Sequence, residues 1–102
     1  MKKESPLVSV YITNYNYGAF LEQCVASVLA QSMQDFELII IDDGSTDNSK
    51  EIIEQYRSLA GLTIIYQQNK GLNITNNVAM RVAKGKYLMR LDADDFLAPE
   101  AL

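Results

Sequence analysis

Phe36-Glu37-Leu38-Ile39-Ile40-Ile41-Asp42-Asp43-Gly44-Ser45-Thr46-Asp47 is the stretch that decides the fold. Its first six residues are almost continuously apolar and β-branched, as in a strand covered on both faces within a parallel sheet. The run then breaks into Asp-Asp-Gly-Ser, which is turn chemistry. Ser45, Thr46 and Asp47 are N-cap candidates. Behind them Ile52, Ile53, Tyr56 and Leu59 recur at three- and four-residue steps, the spacing of one helix face. Strand, polar turn and amphipathic helix thus follow one another without a linker.

The same unit repeats outward. Residues 7–13, 62–66 and 86–91 read as further strands. Leu21, Cys24, Val25, Val28 and Leu29 share a helical face between the first two strands. Ile74, Val78 and Val82 form a stripe between the last two, with Gly85 as a left-handed cap. The residues after Asp95 read as the first turn of another helix, with Pro99 near its start. The order βαβαβαβ predicts an α/β fold, a three-layer Rossmann-like parallel sheet with right-handed crossovers.

Composition removes several functions. With 102 residues there is room for one compact domain. The net charge is −4 and the nine basic residues are scattered, so the basic stripe of a nucleic-acid binder is missing. An acidic protein that holds a phosphate needs a metal ion beside it. There is no histidine, which excludes Ser-His and Cys-His catalysis and most zinc sites. The single cysteine, Cys24, cannot form an internal disulfide and reads as helix packing in a reducing, cytoplasmic setting. No apolar run reaches the ~20 residues of a membrane span, and the N-terminus lacks a signal-peptide core. Neither the G-x-G-x-x-G fingerprint nor a P-loop follows the first strand, which argues against NAD, FAD and ATP enzymes.

Ligands of open α/β sheets bind beyond the carboxyl ends of the strands. Four polar groups fall there: Thr13 to Gly18, Asp42 to Asp47, Gln67 to Gly71, and Asp92-Ala93-Asp94-Asp95. The last places three carboxylates within four residues. Their repulsion is relieved if a hard divalent cation, Mg²⁺ or Mn²⁺, shares their oxygens and offers open positions to a diphosphate. The plainer alternative is a solvated acidic turn. Asp42, Gly44 and Ser45 read as turn and cap, whereas Asp43 can accept hydrogen bonds from a nucleobase edge. Tyr15 offers an aromatic face for the base, worth about 1–3 kcal/mol by analogy with single-stranded nucleic acids.

These residues, with Val8 to Asn16, Leu29-Ala30-Gln31-Ser32, Asp35 to Asp47, Asn69-Lys70-Gly71-Leu72, Gly85-Lys86-Tyr87 and Leu91 to Asp95 followed by Pro99 and Leu102, resemble glycosyltransferase family 2 and its GT-A fold. The resemblance implies a nucleotide pocket lined by Thr13, Tyr15 and Asp43. It makes Asp92-Ala93-Asp94 the Asp-x-Asp motif, with Asp92 near the ribose or diphosphate and Asp94 and Asp95 at the metal. Asn76 stands where many members have a donor-binding arginine. The implied reaction transfers sugar from a nucleoside-diphosphate donor, often a UDP-sugar, to an acceptor hydroxyl on a glycan or lipid-linked acceptor, with inversion. Residues 1–102 would be the N-terminal nucleotide-sugar-binding part, inactive alone because the acceptor half carries the base. The parent enzyme could associate with a membrane through other segments. An uncovered flank near Leu91 and Phe96 predicts homo-oligomers. Two rivals remain: a non-catalytic nucleotide-binding or interaction module, and a receiver domain. The latter needs an acidic pair after the first strand, which is absent.

Overall fold

The computed structural model describes residues 5–102. The elements run β1 (Val8–Asn14), α1 (Gly18–Leu29), β2 (Phe36–Asp43), α2 (Ser49–Glu54), β3 (Leu62–Gln67), α3 (Leu72–Val82) and β4 (Tyr87–Asp92). The predicted alternation is therefore present. All pairings are parallel and the strands lie in the order β3-β2-β1-β4. The chain walks from β1 to β3 and then crosses back over the sheet to β4, so the strand order reverses at β1.

Side chains alternate across the sheet, and each face carries its own core. Val10, Ile12, Leu38, Ile40 and Leu91 pack with Leu21, Cys24, Val25 and Val28 of α1 and Ile52 and Ile53 of α2. Tyr11, Ile39 and Ile41 face the other way, against Ala79, Val78 and Val82 of α3. This is the three-layer arrangement. Residues 38–41 of β2 have no solvent exposure; fully burying each such side chain stabilises by roughly 1.5–3 kcal/mol.

Glu37 interrupts that apolar run and is buried nonetheless, with 7% exposure. Its Oε2 accepts the Ser9 hydroxyl and the Lys84 N–H, both at 2.5 Å, and Ser9 Oγ accepts the Gly85 N–H at 2.7 Å. A buried carboxylate is tolerated because its hydrogen bonds are made. The network pins the α3–β4 connection to the amino ends of β1 and β2.

Local expectations are corrected at five places. Gly85 is not a left-handed cap: positive φ among the glycines is confined to Gly44, Gly61 and Gly71, and α3 ends at Val82 with Ala83 extended. Gly85 is instead required by close approach, since a Cβ there would meet Ser9 N at 2.6 Å and the Val8 carbonyl carbon at 2.8 Å. Ile74 is 43% exposed, and the small residues Thr75 and Ala79 are the buried ones on α3, letting the helix sit close to the sheet. The second helix is shorter than its apolar spacing implies, so Tyr56 lies in the turn after it and Leu59 beyond that turn.

The residues after Asp95 form no helix, because Ser27 of α1 and Gln31 and Ser32 just beyond its end take up their backbone groups. Leu97 N–H donates to Ser27 Oγ, Gln31 Nε2 donates to the Ala98 carbonyl, Ser32 N–H donates to the Pro99 carbonyl, and Leu102 N–H donates to Gln31 Oε1. Leu91, expected on an open flank, is buried at 6% exposure, while Phe96 is 62% exposed.

Gly85→Ala tests the close approach. Backbone atoms of β1 cannot give way as a side-chain tip can, so the variant should lose about 1–3 kcal/mol by urea denaturation.

Candidate functional site

Two-residue alternation decides what the strand tips present. Asp42 and Asp43 both belong to β2, so they must leave the sheet on opposite faces. Asp42 turns to the α1–α2 side and is 4% exposed. Its Oδ1 accepts Asn14 Nδ2 at 2.8 Å and the Ser45 hydroxyl at 2.6 Å, and its Oδ2 accepts Ser45 N–H at 3.1 Å. That is the turn-forming role read from the sequence. The N-cap of α2 is Asn48, which makes no side-chain cap bond, and not Ser45, Thr46 or Asp47 as expected; Asp47, one residue earlier, still binds the helix starts. Its Oδ1 accepts Ser49 N–H at 2.9 Å and its Oδ2 accepts Gly18 N–H at 2.9 Å, so one carboxylate serves the starts of α1 and α2.

Asp43 turns toward α3. Its Oδ1 accepts Gln67 Nε2 at 2.9 Å and Lys70 N–H at 2.6 Å, and its Oδ2 accepts Gly71 N–H at 3.0 Å. Partial burial pushes its pKa up, but Gln67, the two backbone N–H groups and the Lys70 charge outweigh that and hold it below 3.8. The residue 69–71 loop comes so close that a Cβ on Gly44, which has φ +80°, would meet Asn69 N at 2.7 Å. Only glycine fits both demands.

Thr13 lies opposite Asp92 in the β1–β4 register, and its hydroxyl donates to Asp92 Oδ1 at 3.0 Å. Ala93 is fully buried and donates its N–H to the Thr13 carbonyl at 3.0 Å. A small buried residue between two acids leaves Asp92 half-buried and Asp94 exposed. Asp95 N–H donates back to the Asp92 carbonyl at 2.9 Å, folding the turn. Asp92, Asp94 and Asp95 then each offer a carboxylate oxygen, all within 4.8 Å of one another. Arg90 Nε, 3.6 Å from Asp92 Oδ1, offsets part of that charge. An all-oxygen acidic set fits a hard divalent cation such as Mg²⁺ or Mn²⁺.

Cys24 lies beneath this turn. Its thiol donates to the Asp92 carbonyl at 3.7 Å. Burial first, and the charges of Asp95, Asp92 and Asp94 after it, push its pKa up to about 12. It is helix packing, as the sequence indicated.

Thr13, Tyr15, Asp43, Asp92 and Asp94 line one cavity of about 250 Å³ at the carboxyl edge of the sheet. Asp95 belongs to the acidic group but not to the lining. Asn76 is also outside the lining; its Oδ1 accepts the Tyr11 hydroxyl at 2.8 Å, on the face of α3 that packs against the sheet. Sequence reading missed Asn14, Tyr17, Leu72 and Thr75, which complete the wall. The available signals were the place of Asn14 and Tyr17 in the polar group at the end of β1 and of Leu72 and Thr75 in the first turn of α3. Asn14 is 2% exposed, and its Oδ1 is buried without a protein partner.

A parallel sheet wound on both faces, with polar side chains from its strand tips converging on one cavity, defines a Rossmann-like α/β domain of the GT-A kind. The chain belongs to glycosyl transferase family 2, whose sequence pattern residues 9–102 match. It is 44% identical over 101 residues to a chondroitin synthase of Escherichia coli, covering 98% of this chain and 15% of that protein. It is 42% identical over 98 residues to a hyaluronan synthase of Pasteurella multocida, covering 95% of this chain and 10% of that one. The chain therefore spans a small part of the relatives it matches. Among solved structures, S. aureus TarS 1-349 in complex with UDP superposes with a TM-score of 0.83 at 28% identity, over 92% of this chain and 29% of that one. The mannosyltransferase PcManGT from Pyrobaculum calidifontis, in complex with GDP-Man and Mn²⁺, gives 0.82 at 25% identity, over 92% and 29%.

The depressed pKa of Asp43 has a signed consequence. Its anchoring of the 69–71 loop is complete above pH 3.8 and is lost as pH falls through the lower folded value. Asp43→Asn should therefore be less stable than wild type at pH 7 in urea titrations, with the gap closing in strong acid.

Proposed function

We propose that this chain is the N-terminal, nucleotide-sugar-binding portion of an inverting, metal-dependent glycosyltransferase of polysaccharide synthesis. The observation that carries this reading is the shared cavity of Thr13, Tyr15, Asp43, Asp92 and Asp94. The Tyr15 ring takes the face of the base and Asp43 accepts from its edge. Asp92, oriented by the Thr13 hydroxyl, meets the ribose or diphosphate. Asp94 and Asp95 would hold Mg²⁺ or Mn²⁺, which would supply the positive charge that stabilises a departing diphosphate. The bound UDP of TarS and the GDP-Man and Mn²⁺ of PcManGT support this assignment.

The acceptor, a glycan or lipid-linked sugar, and the carboxylate that deprotonates its hydroxyl belong to sequence outside these 102 residues. The small share of the longer relatives that the chain covers supports this. By itself the chain binds nucleotide at most weakly and does not turn over, which is where the binding-module reading retains force. We place it in the cytoplasm, the reducing setting that suits the lone Cys24; among the described residues no helix is long and apolar enough to cross a membrane.

Calorimetry with UDP and Mn²⁺ tests the site. Wild-type binding should require the metal, and Asp94→Ala should weaken it by about tenfold or more, roughly 1.4 kcal/mol. Metal-independent binding, or undiminished binding by the variant, sinks the mechanism. Tyr87, Leu88 and Phe96 are 57%, 40% and 62% exposed, and we propose that they drive association into dimers. A clean monomer in sedimentation at micromolar concentration would count against that.

A further inference from the structure

Gln67 ends β3 directly opposite Asp43 in the β2–β3 register. Its Nε2 donates to Asp43 Oδ1 at 2.9 Å and to Thr75 Oγ1 at 2.7 Å. Neither bond can be reversed. An ionised carboxylate only accepts, and Thr75 Oγ1 spends its own hydrogen on the Gly71 carbonyl at 3.0 Å. Both amide hydrogens of Gln67 are thus committed, and the amide orientation is fixed by its surroundings. Thr75 is 2% exposed and sits in the first turn of α3. The amide therefore ties three elements together: the tip of β2, the tip of β3 and the start of α3.

The consequence falls on Asp43. A carboxylate offers about four acceptor positions. Gln67 and Lys70 N–H take two on Oδ1, and Gly71 N–H takes one on Oδ2. One position is left, on a carboxylate that cannot rotate. Asp43 and Thr75 both line the cavity, so that remaining position has a fixed place relative to whatever the cavity holds. We propose that Gln67 is a positioning residue for nucleobase selection: it holds Asp43 so that a base presenting a ring N–H to Oδ2 is accepted and one lacking it is rejected. This rests on the nucleotide-binding reading above. The rejection arises because a ligand without the N–H buries an ionised acceptor against a carbon, leaving it unpaired. If Gln67 is lost, the carboxylate keeps only the Lys70 and Gly71 N–H groups and loses its tie to β3 and the start of α3, so it can shift with the 69–71 loop away from the misfit, and selection relaxes.

The experiment compares UDP with its N3-methyl derivative, in the presence of Mn²⁺, by calorimetry on wild type and Gln67→Met. Wild type should prefer UDP by about tenfold or more, the scale of one charge-assisted hydrogen bond. Gln67→Met should bring the two ligands to within about twofold of each other by weakening UDP more than the methylated form. A purely structural role would weaken both ligands by the same factor, and that result overturns the proposal, as does an unchanged preference. Gln67→Asn, whose amide is one methylene short of spanning both partners, guards against a variant that fails to fold. It should lose preference in the same direction, and full retention would overturn the proposal too. A wild type that binds neither ligand removes the nucleotide-binding reading and this inference with it, an outcome distinct from the others.

Discussion

Consecutive residues of a strand leave a sheet on opposite sides, and the site is built on that constraint. Asp42 and Asp43 are chemically identical neighbours, yet one becomes a buried turn anchor and the other faces the cavity. At β4 the buried Ala93 separates Asp92 from Asp94 in the same spirit. The flanking strands then fix where these tips meet. Parallel register puts Thr13 beside Asp92 and Asp43 beside Gln67, so polar groups far apart in sequence become hydrogen-bonded pairs. The strand order reverses at β1, next to β4, and crevices at such reversals are where open α/β sheets take ligands.

Charge sets the second constraint. The chain is acidic overall, and the turn after β4 concentrates three carboxylates within 4.8 Å of one another. Bare, that turn repels an anion. Arg90 offsets part of this on one side of Asp92, but Asp94 and Asp95 are exposed and have no such cation beside them among the ion pairs of the described residues. The acidic cluster and the cavity beside it are therefore parts of one arrangement, because a cation on the first changes the sign of what the second attracts.

Much of this was legible in the sequence. Continuous apolar strands, helices at 3.6-residue spacing and polar groups after each strand gave the alternation, the layers and the edge that carries the site. What resisted reading was tertiary. The Ile74 stripe looked buried by periodicity, but α3 approaches the sheet through Thr75 and Ala79, and closeness favoured small residues over large ones. Gly85 looked like a helix terminator, and its reason for being glycine is a strand 76 residues earlier in the chain. The segment after Asp95 had helical composition, yet Ser27 of α1 and the Gln31-Ser32 turn that follows it claimed its backbone groups first. Asn76 falls on a helix whose phase turns it to Tyr11 and away from the cavity. Each of these depends on a partner distant in sequence, which local pattern does not encode.

The polar lock of Glu37, Ser9, Lys84 and Gly85 sits at the amino ends of the strands, with the whole length of the sheet between it and the ligand edge. Perturbations at such separated sites combine nearly independently. The domain therefore has a floor and a mouth that can be altered separately. Substitutions at the mouth that retune ligand preference at some loss of folding free energy can be offset by reinforcing the floor, with no change in the surface the ligand meets.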